Sequence, residues 1–459
     1  MNTPFDRKFY NALPKGFHWG TATSAYQIEG AAAQDGRGPS IWDVFSHMEG
    51  RVRDRSNGDV ACDHYHRYVD DVRMMRELAL DHYRFSVSWS RVLPTGWGRV
   101  NEEGLAFYDR LVDELLAVDI APFATLYHWD LPQALQEIGG WENRDTALRF
   151  AEYADIVYRR LGDRVKQFVT HNEPWCVAVL GHYTGEHAPG KRRDVAAMLR
   201  VAHHVLLSHG LAVDAFRASG VEGEIGITLN LTPVYPAAES EETLRAARLH
   251  DVFSNTWFLD PLFRGVYPPE LADLFGPLPE EIRLEDLAVI SRPMDLLGVN
   301  FYSYEVVEHN RTASEGAQEA PPWRDVTPRN RVTSMNWPVS APALTDLLVR
   351  LSRDYTQLPI YITENGAAYA DCLEGGRVHD AQRIAYVRDH LEAIAEALRQ
   401  GVDMRGYYLW SFMDNFEWAW GYTERFGMVY TDYATLQRIP KDSALWYADV
   451  IRFAKATGV

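Results

Sequence analysis

Basic residues are in short supply in this chain: 46 Lys and Arg stand against 64 Asp and Glu, a net charge of −18. Such a surface repels phosphate backbones, which argues against nucleic acid as a partner. Cysteine is scarcer still. The three present, Cys62, Cys176 and Cys372, are too few and too dispersed for a disulfide framework. No stretch approaches the ~18 uninterrupted apolar residues of a membrane span. The N-terminus lacks a basic segment followed by an apolar run, so a cytoplasmic protein with no membrane partner is expected. Gly-x-Gly-x-x-Gly, Walker A, His-Glu-x-x-His and Gly-x-Ser-x-Gly patterns are missing, which removes support for nucleotide binding, zinc proteolysis and serine hydrolysis. Cys62-Asp-His-Tyr-His66 looks like a metal cluster. On a helix, however, His64 would point about 200° away from Cys62 at about 100° per residue, so no shared ion is expected.

Aromatics are plentiful, with 14 Trp and 24 Tyr among 459 residues. Aromatic faces stack on the C–H faces of sugars as well as filling cores. Two stretches organise the rest. Ile360-Tyr-Ile-Thr-Glu-Asn-Gly366 reads as a buried strand broken by Asn365-Gly366, with Glu364 at its end. Val165-Lys-Gln-Phe-Val-Thr-His-Asn-Glu-Pro174 repeats the pattern and delivers Glu173. A carboxylate at the end of an apolar strand is costly unless it is exposed, paired or used.

Strand and helix patterns alternate along the whole chain. Strands are expected near Gly16, Tyr83–Trp89, Ala121–Asp130, Val165–Glu173, Glu224–Asn230, Asp295–Tyr302, Ile360–Gly366 and Met404–Ser411. Helical stretches such as Asp63–Leu80, Glu102–Val118, Asp145–Leu161, Ala196–Ser219, Ala343–Tyr355 and Ala381–Gln400 intervene. Eight βα units imply an α/β fold, a single (β/α)8 TIM barrel over residues 1–459 with long βα loops on the C-terminal face. Ser303–Asn336, the longest polar insert, reads as a loop over that face. Active sites of such barrels gather at the strand C-termini. There the chain supplies Gln27, Arg84, His128, Trp129, Asn172, Glu173, Asn230, Asn300, Tyr302, Glu364 and Trp410.

Paired carboxylates are the machinery of glycoside hydrolysis. Arg84 and Tyr302, if close to Glu364, would stabilise it as an anion, as a nucleophile needs. Glu173, beside neutral Asn172 and no adjacent cation, would hold a raised pKa suited to a general acid.

The segments Phe17-His-Trp-Gly-Thr-Ala-Thr-Ser-Ala-Tyr-Gln-Ile-Glu-Gly30, Tyr83-Arg-Phe-Ser86, His128-Trp-Asp130, Asn172-Glu-Pro174, Thr363-Glu-Asn-Gly366 and Trp410-Ser-Phe-Met-Asp-Asn-Phe-Glu-Trp418 occur in order over nearly the whole chain. Together they resemble glycoside hydrolase family 1. The resemblance implies a retaining β-glucosidase with Glu173 as acid/base and Glu364 as nucleophile, their carboxyl groups about 5–5.5 Å apart. It implies that Gln27, His128, Asn172, Glu417 and Trp418 grip the glycone, that Trp410 is its stacking platform, and that Trp337 packs against the aglycone. Enzymes of this family for 6-phosphorylated glycosides typically carry a serine, a lysine and a tyrosine where this chain has Glu417, Glu424 and Phe426, so free glucosides are expected. Arg425 is the nearby cation and is expected to point off the site. His171 departs from the hydrophobic residue more usual before Asn-Glu-Pro, and its side chain is expected to turn away from Glu173.

The expected partner is a small β-glucoside, with no metal or organic cofactor; a homo-oligomer is compatible with the sequence. Two rivals stand beside hydrolysis. One is a sugar-binding protein on a dead hydrolase scaffold, against which both glutamates speak. The other is glycosyl transfer to an acceptor through the same covalent intermediate.

Overall fold

The computed structural model describes residues 5–311 and 320–458. Eight strands form a closed, all-parallel barrel: β1 (His18–Ala22), β2 (His82–Ser86), β3 (Ala121–Tyr127), β4 (Gln167–Asn172), β5 (Glu224–Asn230), β6 (Leu296–Asn300), β7 (Ile360–Asn365) and β8 (Met404–Trp410). Each pairs with its sequence neighbours, and β8 closes on β1 with Ala22 opposite Trp410. Every residue of β6 and β7 is buried, as parallel strands with helices outside and side chains inside require. Ala22, Phe123, Val169, Leu296, Tyr361, Tyr408 and Trp410 belong to one cluster, separate from the larger core.

The helices Glu102–Ala117, Asp145–Leu161, Val195–Ser219, Ala341–Asp354 and Ala381–Arg399 lie close to the expected ranges. Asp145–Leu161 repeats an apolar residue every three or four positions (Ala147, Phe150, Tyr153, Ala154, Val157, Tyr158, Leu161) and buries that stripe. Val195–Ser219 is the one helix among the described residues long and apolar enough to cross a membrane, yet 78% of its apolar window is buried inside the fold.

Several expectations need correction. The second strand stops at Ser86, and a helical turn, Trp89–Val92, follows it. Gln27 sits on the helical turn Ala25–Ile28, not in a loop. The insert Ser303–Asn336 is more than a loop: Glu305–His309 pairs antiparallel with Trp323–Asp325 and parallel with Val234–Pro236. Residues 312–319 of that insert lie outside the described part. Cys62 precedes the helix His64–Glu77, so the helical argument does not apply to it. Its Sγ faces the Asp414 carbonyl while His64 pairs with Asp71 and His66 with Asp63. Three elements stand outside the expected set: the helix Arg7–Ala12, the hairpin Val429–Asp432/Gln437–Pro440 and the helix Asp442–Ala456, the last with an apolar residue every three or four positions (Ala444, Tyr447, Ala448, Ile451, Ala454).

The end of β4 is irregular. Strict alternation would set His171 and Glu173 on one face, but the register slips between Val169 and Asn172. His171 thereby turns outward to Ser208 and stacks on Phe150, and Asn172 faces Arg84 and Asn300. At the end of β7 the chain passes so close to β8 that a Cβ on Gly366 would lie 1.7 Å from the Trp410 carbonyl oxygen. The glycine after Glu364-Asn365 is therefore a packing requirement.

Candidate active site

Above the C-terminal ends of the strands lies a cavity of about 490 Å³. Of the candidate residues, His128, Trp129, Glu173, Asn230, Asn300, Tyr302, Trp337, Glu364, Trp410, Glu417, Trp418 and Phe426 line it. Gln27, Arg84 and Asn172 are not among the lining residues and are themselves buried. Three of the lining residues sit in the left-handed backbone region: Trp129 (φ 76°), Glu173 (φ 50°) and Trp418 (φ 47°). Such conformations are uncommon for residues other than glycine and cluster where a side chain must be aimed.

Glu364 ends β7 and is held at both oxygens. Arg84 Nη1 on β2 donates to Oε1 at 2.7 Å, and the Tyr302 hydroxyl donates to Oε2 at 2.7 Å. Arg84 is itself fixed, its Nε donating to Thr125 and its Nη2 to Asn172 Oδ1. Burial raises the Glu364 pKa, while the Arg84 charge and the hydrogen bonds from Tyr302, Arg84 and Asn300 pull it back.

Glu173 follows β4 and caps the helix Pro174–Ala178, with Pro174 at its first position, where a missing N–H is harmless. Among the described residues only neutral donors bond its carboxyl: Asn300 Nδ2 at 2.6 Å from Oε1 and Cys176 Sγ at 3.1 Å from Oε2. Burial, and after it the charge of Glu364, raises its pKa. A carboxyl with only neutral donors and a carboxyl paired to a guanidinium thus face one cavity.

Around the pair the polar groups are locked. Asn172 Oδ1 accepts from Arg84 and Asn300, so its Nδ2 must donate, and it does so to His128 Nε2 at 3.1 Å. Burial, then the Arg84 charge, holds the His128 pKa well below 6.5. The neutral ring therefore carries its proton on Nδ1, which has no partner among the described residues. Gln27 is held in place by its Nε2 donating to Asn415 Oδ1 and the Phe416 carbonyl and its Oε1 accepting from Ser24. Trp418 packs against Trp129 at 4.7 Å between ring centroids, and Trp337, Tyr302 and Phe426 form a second aromatic wall. Glu417 stands among Glu364, Glu424 and Glu173. Burial and those three charges raise its pKa to about 8.

Sequence reasoning missed several lining residues. Trp175 and Cys176 line the cavity directly after Asn-Glu-Pro, and following the motif one turn into the helix would have found them. Arg329 lines the cavity and pairs with Asp325. It is a second cation at the site beside Arg84, and no local pattern marks it. Arg425 turns away, bonding Asp414 and lying over Tyr430 and Tyr433. Among the described residues no group of three or more His, Cys, Asp or Glu side chains is placed to hold a metal ion.

Comparison with known proteins agrees with this geometry. The model for Glycosyl hydrolase family 1 matches residues 9–456. The chain is 46% identical to beta-glucosidase A of Acetivibrio thermocellus over 443 residues, 96% of this chain and 98% of that protein. It is 51% identical to thermostable beta-glucosidase B of Thermobispora bispora over 448 residues, 96% of this chain and 91% of the relative. The solved structure of a Thermotoga maritima beta-glucosidase in complex with glucoimidazole superposes with a TM-score of 0.92 at 44% identity, covering 96% of this chain and 99% of that one.

Proposed function

The chain belongs to glycosyl hydrolase family 1, and from that premise we infer that it is a retaining β-glucosidase in which Glu364 is the nucleophile and Glu173 the acid/base. One observation carries the assignment of roles. Glu364 has a guanidinium and a phenol on its two oxygens, whereas Glu173 has only an amide and a thiol. The charged partner favours the ionised form of Glu364. With no cation bonded to it, Glu173 is the better keeper of a proton.

The reaction follows from that division. A Glu364 oxygen attacks the anomeric carbon while Glu173 gives its proton to the glycosidic oxygen, and the aglycone alcohol departs. The sugar is left as an α-glucosyl ester of Glu364. Water enters, Glu173 now takes a proton from it, and attack on the same carbon frees β-glucose and the Glu364 carboxylate. Two inversions give net retention. The Tyr302 hydroxyl, its pKa raised well above 10 chiefly by burial, stays a donor to Glu364 throughout.

The substrate class is short β-linked glucosides of cellobiose size and aryl or alkyl glucosides. The aromatic walls offer stacking faces for the sugar and aglycone, and the His128 Nδ1–H and the Glu417 carboxyl are unspent groups for hydroxyls. Transfer to an acceptor alcohol uses the same ester and competes with water. Proton NMR of the first-formed glucose tests the reading: the β-anomer should appear before mutarotation, and an α-anomer first would reject the double displacement.

A further inference from the structure

Of the two catalytic carboxyls, Glu173 is the one with a sulfur atom against it. Cys176 lies one helical turn after it, on Pro174–Ala178, with Sγ 3.1 Å from Oε2. Cys176 is 7% exposed and lines the cavity. The two oxygens of Glu173 are therefore not equivalent. Oε1 accepts a 2.6 Å bond from Asn300 Nδ2, whose orientation is fixed because its own Oδ1 accepts from Thr363 Oγ1. With Oε1 committed as an acceptor, the exchangeable proton belongs on Oε2, the oxygen beside the sulfur.

We propose that Cys176 is a positioning residue for Glu173: its S–H steadies Oε2 as the Asn300 amide steadies Oε1, so that two neutral donors set the carboxyl's orientation and the ease of its proton transfer. This rests on Glu173 being the acid/base. The thiol suits the task because it is a weak, neutral donor. A cation at this place would hold Glu173 ionised and leave it without a proton to give, and an apolar side chain would leave Oε2 without a partner. The thiol favours the carboxylate that forms when Glu173 releases its proton. It also moderates the basicity of that carboxylate in the second step. Cys176 stays a thiol: burial, with the Glu173 charge second, holds its pKa well above 9. The other charged or titratable groups around Glu173 are Glu364 on β7, Arg84 on β2, Tyr302 after β6 and Glu417 after β8. None of them lies on the helix that carries Cys176.

The test is the pH profile of kcat/KM for an aryl β-glucoside in the wild-type enzyme and in Cys176→Ala, Cys176→Ser and Glu173→Gln. Loss of a weak donor to a charged acceptor should move the alkaline limb of Cys176→Ala upward by roughly half to one pH unit. Cys176→Ser, which restores a donor, should return the limb to the wild-type position or below it. A limb abolished in Glu173→Gln yet unmoved in Cys176→Ala would overturn the proposal alone. A limb retained in Glu173→Gln would overturn the assignment of the acid and the proposal with it. Should Cys176→Ala not fold, the wild-type infrared spectrum decides. One S–H stretching band, absent from Cys176→Ser, should shift to lower frequency as Glu173 ionises, and an S–H region constant across that pH range would reject the contact.

Discussion

Arg84 Nη1 and Glu364 Oε1 lie 2.7 Å apart, with only 1% of the arginine side chain and 4% of the glutamate side chain exposed. Burying such a pair offsets much of its own attraction through lost hydration. Its value here is chemical: the guanidinium keeps a carboxylate charged where burial alone would neutralise it. Arg84 also bonds Thr125, the Thr363 carbonyl and Asn172, so the group that charges Glu364 also orients the base of the cavity.

Replacing Arg84 by Met should therefore move the acid limb of kcat/KM upward, because Glu364 must be ionised to attack and would lose its largest stabilising charge. At neutral pH a loss of at least ~100-fold is expected, in line with the roughly 3–5 kcal/mol cost of orphaning one half of a buried pair. Arg84→Lys should rescue only part of this, since one ammonium cannot reach four acceptors. Rate profiles from acid to neutral pH check it; an unmoved acid limb in Arg84→Met speaks against the pairing as the source of the nucleophile's charge.

Much of this site is legible in the sequence, and the reasons differ by residue. Glu364 and Glu173 stand at strand ends marked by Asn-Gly and by Pro, and such breaks are local signals. The barrel follows from alternation, since eight parallel strands with helical crossovers have few ways to close. What escapes are features that depend on register or on distant chain. The slip between Val169 and Asn172 that turns His171 outward has no two-residue period to betray it. The small sheet within Ser303–Asn336 is paired through Val234–Pro236, some seventy residues upstream by count of the sequence. Arg329 reaches the cavity on that insert and carries no motif. The partners that orient the Gln27 amide, Ser24, Asn415 and the Phe416 carbonyl, likewise come partly from distant chain.

Glu417 should leave a signature in stability as well as in binding. In the empty enzyme its pKa is raised to about 8, against roughly 4.3 in an unfolded chain. The folded state thus binds its proton more tightly, so this group's contribution to stability is full below about pH 4 and is lost as pH rises through 8. Glu417→Gln removes that penalty. Its Tm should match the wild type below about pH 4 and exceed it increasingly towards about pH 8.5, while its kcat/KM for glucosides falls by roughly 10–100-fold through loss of a carboxyl partner for the sugar hydroxyls. Melting curves with and without a glucose-like inhibitor measure both; a Tm difference independent of pH would argue against the raised pKa.

Discrimination at the sugar 6-position should favour the free hydroxyl strongly. A 6-phosphate brings a charge of about −1.5 to −2 into a cavity that holds the charged Glu364 and where Glu417 already resists ionisation, its pKa raised to about 8 by burial and the neighbouring glutamates. Glu424, hydrogen-bonded by Ser334, adds to that field, Phe426 offers no hydroxyl, and Arg425 is spent on Asp414. Arg329 is neutralised by Asp325. Side-by-side kcat/KM values for an aryl β-glucoside and its 6-phosphate should differ by several orders of magnitude, and a preference for the phosphate would reverse the role given to Glu417.

The division of labour between the two glutamates is tested most directly by azide. In Glu364→Gly the nucleophile is gone, and azide entering its place should displace the leaving group of an aryl β-glucoside with inversion to give the α-glucosyl azide. In Glu173→Gly the ester on Glu364 still forms from a substrate with a good leaving group, and azide should open it to the β-glucosyl azide. Proton NMR of the azides made from one aryl β-glucoside by the two variants decides the matter. The account predicts α from Glu364→Gly and β from Glu173→Gly; the reverse pair would mean that the acid and the nucleophile have been exchanged.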